Sequence, residues 1–172
     1  MFSIEKCAVP VNTMLDKYLM NGAYADCYMT EISGPISFSE FIFSFYTTPL
    51  FKIERLILKL TVSKPSTDVQ TRQLADSKIN KFAAWHVENR SENEMLMCDF
   101  LGRTRSWFKV TPVSETRTKL YFGSAISSSQ NPKTGKLSLG FGYKALLGFH
   151  QIYSMLLLYS ARSSLRQQHS TR

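Results

Sequence analysis

The side chains best placed to do chemistry lie near the C-terminal end of this 172-residue chain, in the stretch ALLGFHQIYSMLLLY. At about 100° per residue, Leu146, Phe149, His150, Tyr153, Leu156, Leu157 and Ser160 share one broad arc. His150, Tyr153 and Ser160 are therefore polar-capable groups on an otherwise apolar helix face. A neighbouring carboxylate raises a histidine pKa and makes an acid–base pair. Asp99, Ser106 and Ser124 fall on the strand face that such a helix would cover, so His150 and Asp99 are the candidate catalytic pair. The competing reading makes His150 a satisfied core histidine and leaves Asp99 at a solvated strand end.

Other catalytic signatures are lacking. NPKTGK is not a full Walker loop, and GFGYK has neither the preceding strand nor the third glycine of a dinucleotide fingerprint. Neither G-x-S-x-G nor H-E-x-x-H occurs, and the three histidines are His86, His150 and His169. Cys7, Cys27 and Cys98 are widely spaced with no C-x-x-C pair, so neither a zinc knuckle nor a disulfide framework is written here. They read as free thiols in a reducing cytosol. No metal and no cofactor is expected.

The chain that must position these groups has the length of one domain and can bury a substantial core. Its 44% apolar and 13% aromatic content belongs to a globular protein. One domain is expected over 1–172, with a core at about 22–166, an N-terminal segment at 1–21 and a frayed tail at 167–172. Residues 22–32, GAYADCYMTEI, read as the first strand. Ser37 stands three residues before Glu40, the S-x-x-E capping box of a helix start. That helix should stop near Thr47, where Thr48-Pro49 opens a second one. The second helix places Leu50, Ile53, Ile57 and Leu60 on one side. Residues 63–79 are polar and connect, with at most one short helix.

Four strands follow at about 80–88, 94–101, 103–113 and 116–126, and their short turns make them antiparallel neighbours. SSSQNPKTGK is then an exposed loop, and a long helix runs over about 137–166. A two-residue Gly102-Arg103 turn would set Asp99 opposite Ser106, Met97 opposite Phe108 and Met95 opposite Val110. The flanking loops would set Trp85 opposite Met97, Val87 opposite Met95, Val110 near Leu120 and Phe108 near Phe122. One sheet face then collects Trp85, Val87, Met95, Met97, Phe108, Val110, Leu120 and Phe122 for the terminal helix to cover. A one-residue slip would invert any strand.

The opposite face carries Arg103, Arg105, Trp107, Lys109, Arg117, Lys119 and Tyr121. With a formal net charge of +8, the basic members Arg103, Arg105, Lys109, Arg117 and Lys119 form a candidate anion- or nucleic-acid-binding surface. The plainer reading is a solvated outer face with Trp107 lying over Gly123. It is favoured because no RNP-type glycine–aromatic motif is present. A transmembrane reading of the last helix fails on Lys144, Gln151 and Arg162, which lie along most of its length. Peripheral membrane contact stays open. The N-terminal MFSIEKCAVP has no apolar signal-peptide run, so a cytoplasmic protein is expected.

GAYADCY at 22–28, LGRTRSWFKV at 101–110 and GFHQIYSMLLLYSAR at 148–162 carry a diffuse resemblance over about residues 10–165. On these segments the chain resembles an uncharacterised bacterial domain-of-unknown-function family in the SRPBCC (START/polyketide-cyclase-like) helix-grip superfamily. The resemblance implies an α+β helix-grip fold. In it a curved antiparallel sheet wraps a long C-terminal helix, with two short helices after the first strand. It also implies a hydrophobic cavity between sheet and helix, and six or seven strands where five are evident here. Lipid carriers, cyclases and coenzyme chaperones all occur in that superfamily, so the fold does not choose the function. The leading expectation is non-enzymatic binding of a hydrophobic or amphipathic small molecule. Trp85, Met97, Phe108, Phe122, His150, Tyr153 and Leu157 would line its cavity, with Asp99 or His150 orienting a polar end. The alternatives are a cyclase- or dehydratase-type enzyme using His150 and Asp99, and the basic outer surface.

Overall fold

Alternating apolar and polar residues fold the chain into a seven-stranded antiparallel sheet. The computed structural model describes residues 4–62, 65–126 and 141–170, the side chains of 57–62 and 141–149 excepted. The strands are β1 (Glu5–Lys6), β2 (Tyr24–Ser33), β3 (Lys81–Phe82), β4 (Trp85–Arg90), β5 (Glu94–Asp99), β6 (Thr104–Ser114) and β7 (Arg117–Ile126). Their spatial order is β1-β2-β7-β6-β5-β4-β3. The helices are α1 (Asp16–Met20), α2 (Phe38–Thr47), α3 (Pro49–Val62), α4 (Asp68–Ala75) and α5 (Phe141–Ser170). The sheet grips α5 with α2 beside it, a helix-grip arrangement. The loop expected at 127–136 and the start of the last helix lie outside the described residues.

Local chemistry sets the helix starts. The Ser37 hydroxyl accepts the Glu40 amide at 3.2 Å, and the Glu40 carboxylate accepts the Ser37 amide at 3.0 Å. This is the capping box the sequence predicts, and such a cap contributes about 1 kcal/mol. Thr48 then accepts the Phe51 amide at 3.2 Å with Pro49 at the first helical position. Thr67 and Gln70 form a second capping box at the start of α4.

The inner sheet face, α2 and α5 enclose the main core. Phe41, Phe45, Met95, Met97, Phe108, Val110, Leu120, Phe122, Leu157, Leu158, Ala161 and Leu165 are buried there, with Trp85 and Val87 packed against them. Every strand residue assigned to the inner face lies in this core, although the β4–β5–β6 register differs from the expected one. Four residues, 100–103, join β5 to β6, so Met97 pairs with Ser106 and Met95 with Phe108. Gly102 takes a left-handed φ of 70° in that turn. The difference is two residues, which leaves each side chain on its original face. Val87 correspondingly pairs with Met97, and a bulge at Glu88 turns Arg90 to the side of Met95. The β6–β7 register, Phe108 with Phe122 and Val110 with Leu120, is as expected.

Two helix faces are rotated from expectation. On α3, Phe51 is buried and Ile53 is 59% exposed, which turns Glu54 toward the interior. Ile57 and Leu60 lie outside the described side chains. On α5, Ser154, Leu157, Leu158, Ala161 and Leu165 are buried while Leu156 is 45% exposed. The polar stripe there is also tied to β2. Gln151 donates to the Tyr24 hydroxyl at 2.8 Å, and Arg162 Nε donates to the Glu31 carbonyl at 3.0 Å.

The segment before β2 packs on the outer sheet face. Leu15, Cys27, Leu96, Trp107 and Ala125 form a second, smaller core there, with Cys7, Val9, Met14 and Tyr18 against it. Trp107 lies over Gly123. A Cβ on that glycine would stand 2.6 Å from Leu15 Cδ2 and 3.1 Å from Trp107 Cε3. Cys7 and Cys27 are free thiols with their sulfurs 3.3 Å apart.

Candidate functional site

A cavity of about 210 Å³ lies between α2, α3, α5 and the inner sheet face. The aromatic run FIFSFY, placed on one helix by the Ser37 cap, contributes Phe45 and Tyr46. Helix α3 contributes Phe51 and Glu54, the strands contribute Trp85, Thr104, Ser106, Phe108 and Phe122, and α5 contributes His150, Tyr153, Ser154 and Leu157. Ring packing makes the walls stiff. Phe45 stands 4.8 Å from both Phe108 and Phe122, and Tyr46 stands 4.7 Å from Phe51. Fully burying one such ring contributes roughly 1.5–3 kcal/mol, so this wall is also a large share of the core.

The cavity holds two kinds of polar group. Tyr153 donates its hydroxyl to the Glu54 carboxylate. Burial pushes the Glu54 carboxyl above the usual carboxylate range, partly opposed by that hydrogen bond. The Tyr153 phenol is raised as well, by burial and then by the Glu54 charge, and Tyr46 is raised for the same two reasons. The Ser154 hydroxyl is buried with no hydrogen-bond partner. A buried polar group without a partner costs about 1–3 kcal/mol, so Ser154 marks a place where water or a ligand belongs.

Beside the cavity, His150 Nε2 and Ser124 Oγ are 2.7 Å apart, and Ser124 donates to Asp26 Oδ1 at 2.5 Å. Tyr24 and Tyr28 also donate to Asp26, at 3.3 and 3.5 Å. With its proton given to Asp26, the serine accepts from the histidine N–H. This chain has serine in the middle, both hydroxyl functions in use and only 3% of the residue exposed. It has no general base aimed at a free nucleophile, the order a Ser–His–Asp triad needs. Its evident action is to fix the His150 ring on the cavity wall.

Of the seven residues expected to line a cavity, Trp85, Phe108, Phe122, His150, Tyr153 and Leu157 do so. Met97 does not. It is fully buried in the core between Val87 and Ser106, because the longer β5–β6 turn moves it along the sheet. Asp99 is not brought to His150. Its Oδ1 accepts the backbone N–H groups of Arg103 and Thr104 at 2.7 and 3.0 Å, so its carboxylate holds the β5–β6 turn. The acid–base pair read from the sequence is therefore not assembled. Ser160 is half-buried and is not among the cavity-lining residues.

Four of the five cations on the basic outer face lie near a carboxylate, two of them sharing one. Arg105 Nε is 3.0 Å from Glu88, Lys109 is 3.5 Å from Glu94, and Arg117 and Lys119 are 3.5 and 3.6 Å from Glu31. Trp107, which lies among these cations in sequence, is fully buried and donates its indole N–H to Glu94 at 2.6 Å. Of the five cations, Arg103 in the β5–β6 turn and Arg117 are exposed.

Phe45, Tyr46, Phe51, Glu54, Ser154 and Asp26 were not foreseen. Asp26 lay in the quoted first strand, two positions from Tyr28, so its place on the inner face was recoverable from alternation. Glu54 was hidden because apolar spacing assigned Ile53 inward. Among the described residues, no three His, Cys, Asp or Glu side chains gather as metal ligands would. No helix of the described residues is long and apolar enough to cross a membrane.

No family model and no curated protein matches the chain. Among solved structures it is similar to a conserved protein of unknown function from Enterococcus faecalis, at 9% identity and a TM-score of 0.34. That likeness covers 85% of this chain and 81% of the other.

Proposed function

We propose that this protein binds a small hydrophobic or amphipathic molecule in the cavity between the sheet, α2, α3 and α5, and does not transform it. The observation that carries the reading is an aromatic-walled volume of about 210 Å³ that also contains Glu54, Tyr153 and the unpartnered Ser154 hydroxyl. A few convergent polar groups in an apolar concavity are what small-molecule sites use to fix orientation. The volume lies below the roughly 300–1,000 Å³ usual for such sites, which favours a compact ligand over a long lipid chain. Membership of the SRPBCC superfamily and a cytoplasmic location belong to the same proposal, the latter resting on the three free thiols.

Native mass spectrometry of protein purified from its own cells tests this. We expect a co-purifying species of low mass that is released when the protein is denatured. Protein that carries nothing, and that also shows no saturable binding of small aryl alcohols or amines, would overturn the proposal.

A further inference from the structure

Resting on that binding reading, we infer that the cavity selects a small organic cation. Its ammonium group would meet the Glu54 carboxylate, and its apolar body would lie among Tyr46, Phe51 and Trp85. The inference starts from the countercharges. On α3 the two cations nearest Glu54 in sequence, Lys52 and Arg55, both reach Asp68, at 3.0 and 2.5 Å. Arg105 borders the cavity, but its guanidinium is held by Glu88 and by the Gly102 carbonyl, at 3.0 and 2.6 Å. Glu54 itself makes no ion pair with any described residue. Its evident hydrogen bond is the one from Tyr153.

A carboxylate offers about four acceptor positions, and a single phenol leaves most of them unfilled. An ammonium group brings three donors and the missing charge, and its neighbours here are aromatic rings whose faces attract cations. Trp85 and Phe51 stand 6.0 Å apart at the same wall. A neutral alcohol brings one donor and no charge, and an organic anion brings no donor for the Glu54 carboxylate. Burial already holds the Glu54 carboxyl above its usual range, a cost that a bound cation relieves. The volume equals about seven liquid waters at ~30 Å³ each. It suits an amine carrying a single ring or a short chain.

Three probes of one shape decide this: 2-phenylethylamine, 2-phenylethanol and 3-phenylpropanoate, titrated into the full chain at neutral pH by calorimetry. We expect the amine to bind at least about tenfold tighter than the alcohol, a difference of about 1.4 kcal/mol, and the carboxylate to bind least. In Glu54→Gln the amine should lose its advantage over the alcohol. Equal affinity for amine and alcohol in the wild type would overturn the cation inference and leave the binding proposal standing. So would an amine preference that survives Glu54→Gln. Failure of all three probes to bind would count against both. The wild-type ranking decides the matter even if the variant does not fold.

Discussion

Trp107 and Trp85 sit on opposite faces of the same sheet, and their surroundings differ in kind. Trp107 is sealed under Leu15 and over Gly123, its indole N–H is bonded to Glu94, and the cations beside it each have a carboxylate. Trp85 borders a cavity in which, among the described residues, Glu54 has no ion-pair partner and the Ser154 hydroxyl has no hydrogen-bond partner. Both faces mix aromatic and charged residues, so side-chain type alone does not separate them. Completeness does: the outer cluster satisfies its own polar groups, whereas the inner one leaves room and unmet hydrogen-bonding capacity. The first is a structural cluster, and the second is the one proposed to bind.

The largest effect that would break this contrast is at Trp107. Trp107→Ala should cost about 3–5 kcal/mol, because it opens a hole in the outer core and orphans a Glu94 hydrogen bond. Urea unfolding measures it, and a loss below about 1 kcal/mol would mean the outer cluster is not a true core. Gly123→Ala should cost about 1–3 kcal/mol by overpacking. The added methyl meets the Asp26 carbonyl oxygen at 2.7 Å, a backbone atom that cannot swing aside.

Glu54→Gln should act in the opposite direction. Glu54 has a raised pKa in the folded chain, so the unfolded state ionises first as pH rises. Folding then carries the cost of holding a proton or burying a charge. That cost is absent below the unfolded pKa of about 4.3, grows as pH rises toward the folded value and is constant above it. The variant should therefore gain on the wild type as pH rises from about 4 to 7. A gain independent of pH would show that Glu54 is not the titrating group. The smallest effect belongs to the outer rim. Lys119→Gln should change stability by less than about 0.5 kcal/mol, since Glu31 is shared with Arg117.

The sheet was legible in the sequence because alternation tolerates error in steps of two. The unexpected four-residue turn at 100–103 shifted Met95 and Met97 along the sheet without turning them out of it. Helix faces were less legible. On α3 an error of one position exchanged Ile53 for Glu54 and so concealed the main charged group of the cavity. On α5 the expected arc included Leu156, which is exposed, and missed Ser154, which is buried. Asp99 was misread for a different reason: its carboxylate is taken up by local turn amides, a demand that strand alternation does not register. The phenylalanine run on α2 was visible, but which of its rings reach the cavity depends on tertiary packing against Phe108 and Phe122.

The chain has two tryptophans, one on each face, and their indole N–H signals give the most direct test of where binding occurs. Uniformly 15N-labelled protein should be titrated with 2-phenylethylamine, the two signals being assigned from a Trp85→Phe spectrum. The account predicts that the Trp85 signal shifts in a saturable way while the Trp107 signal stays in place. Movement of the Trp107 signal alone, or of neither signal up to millimolar ligand, would contradict it.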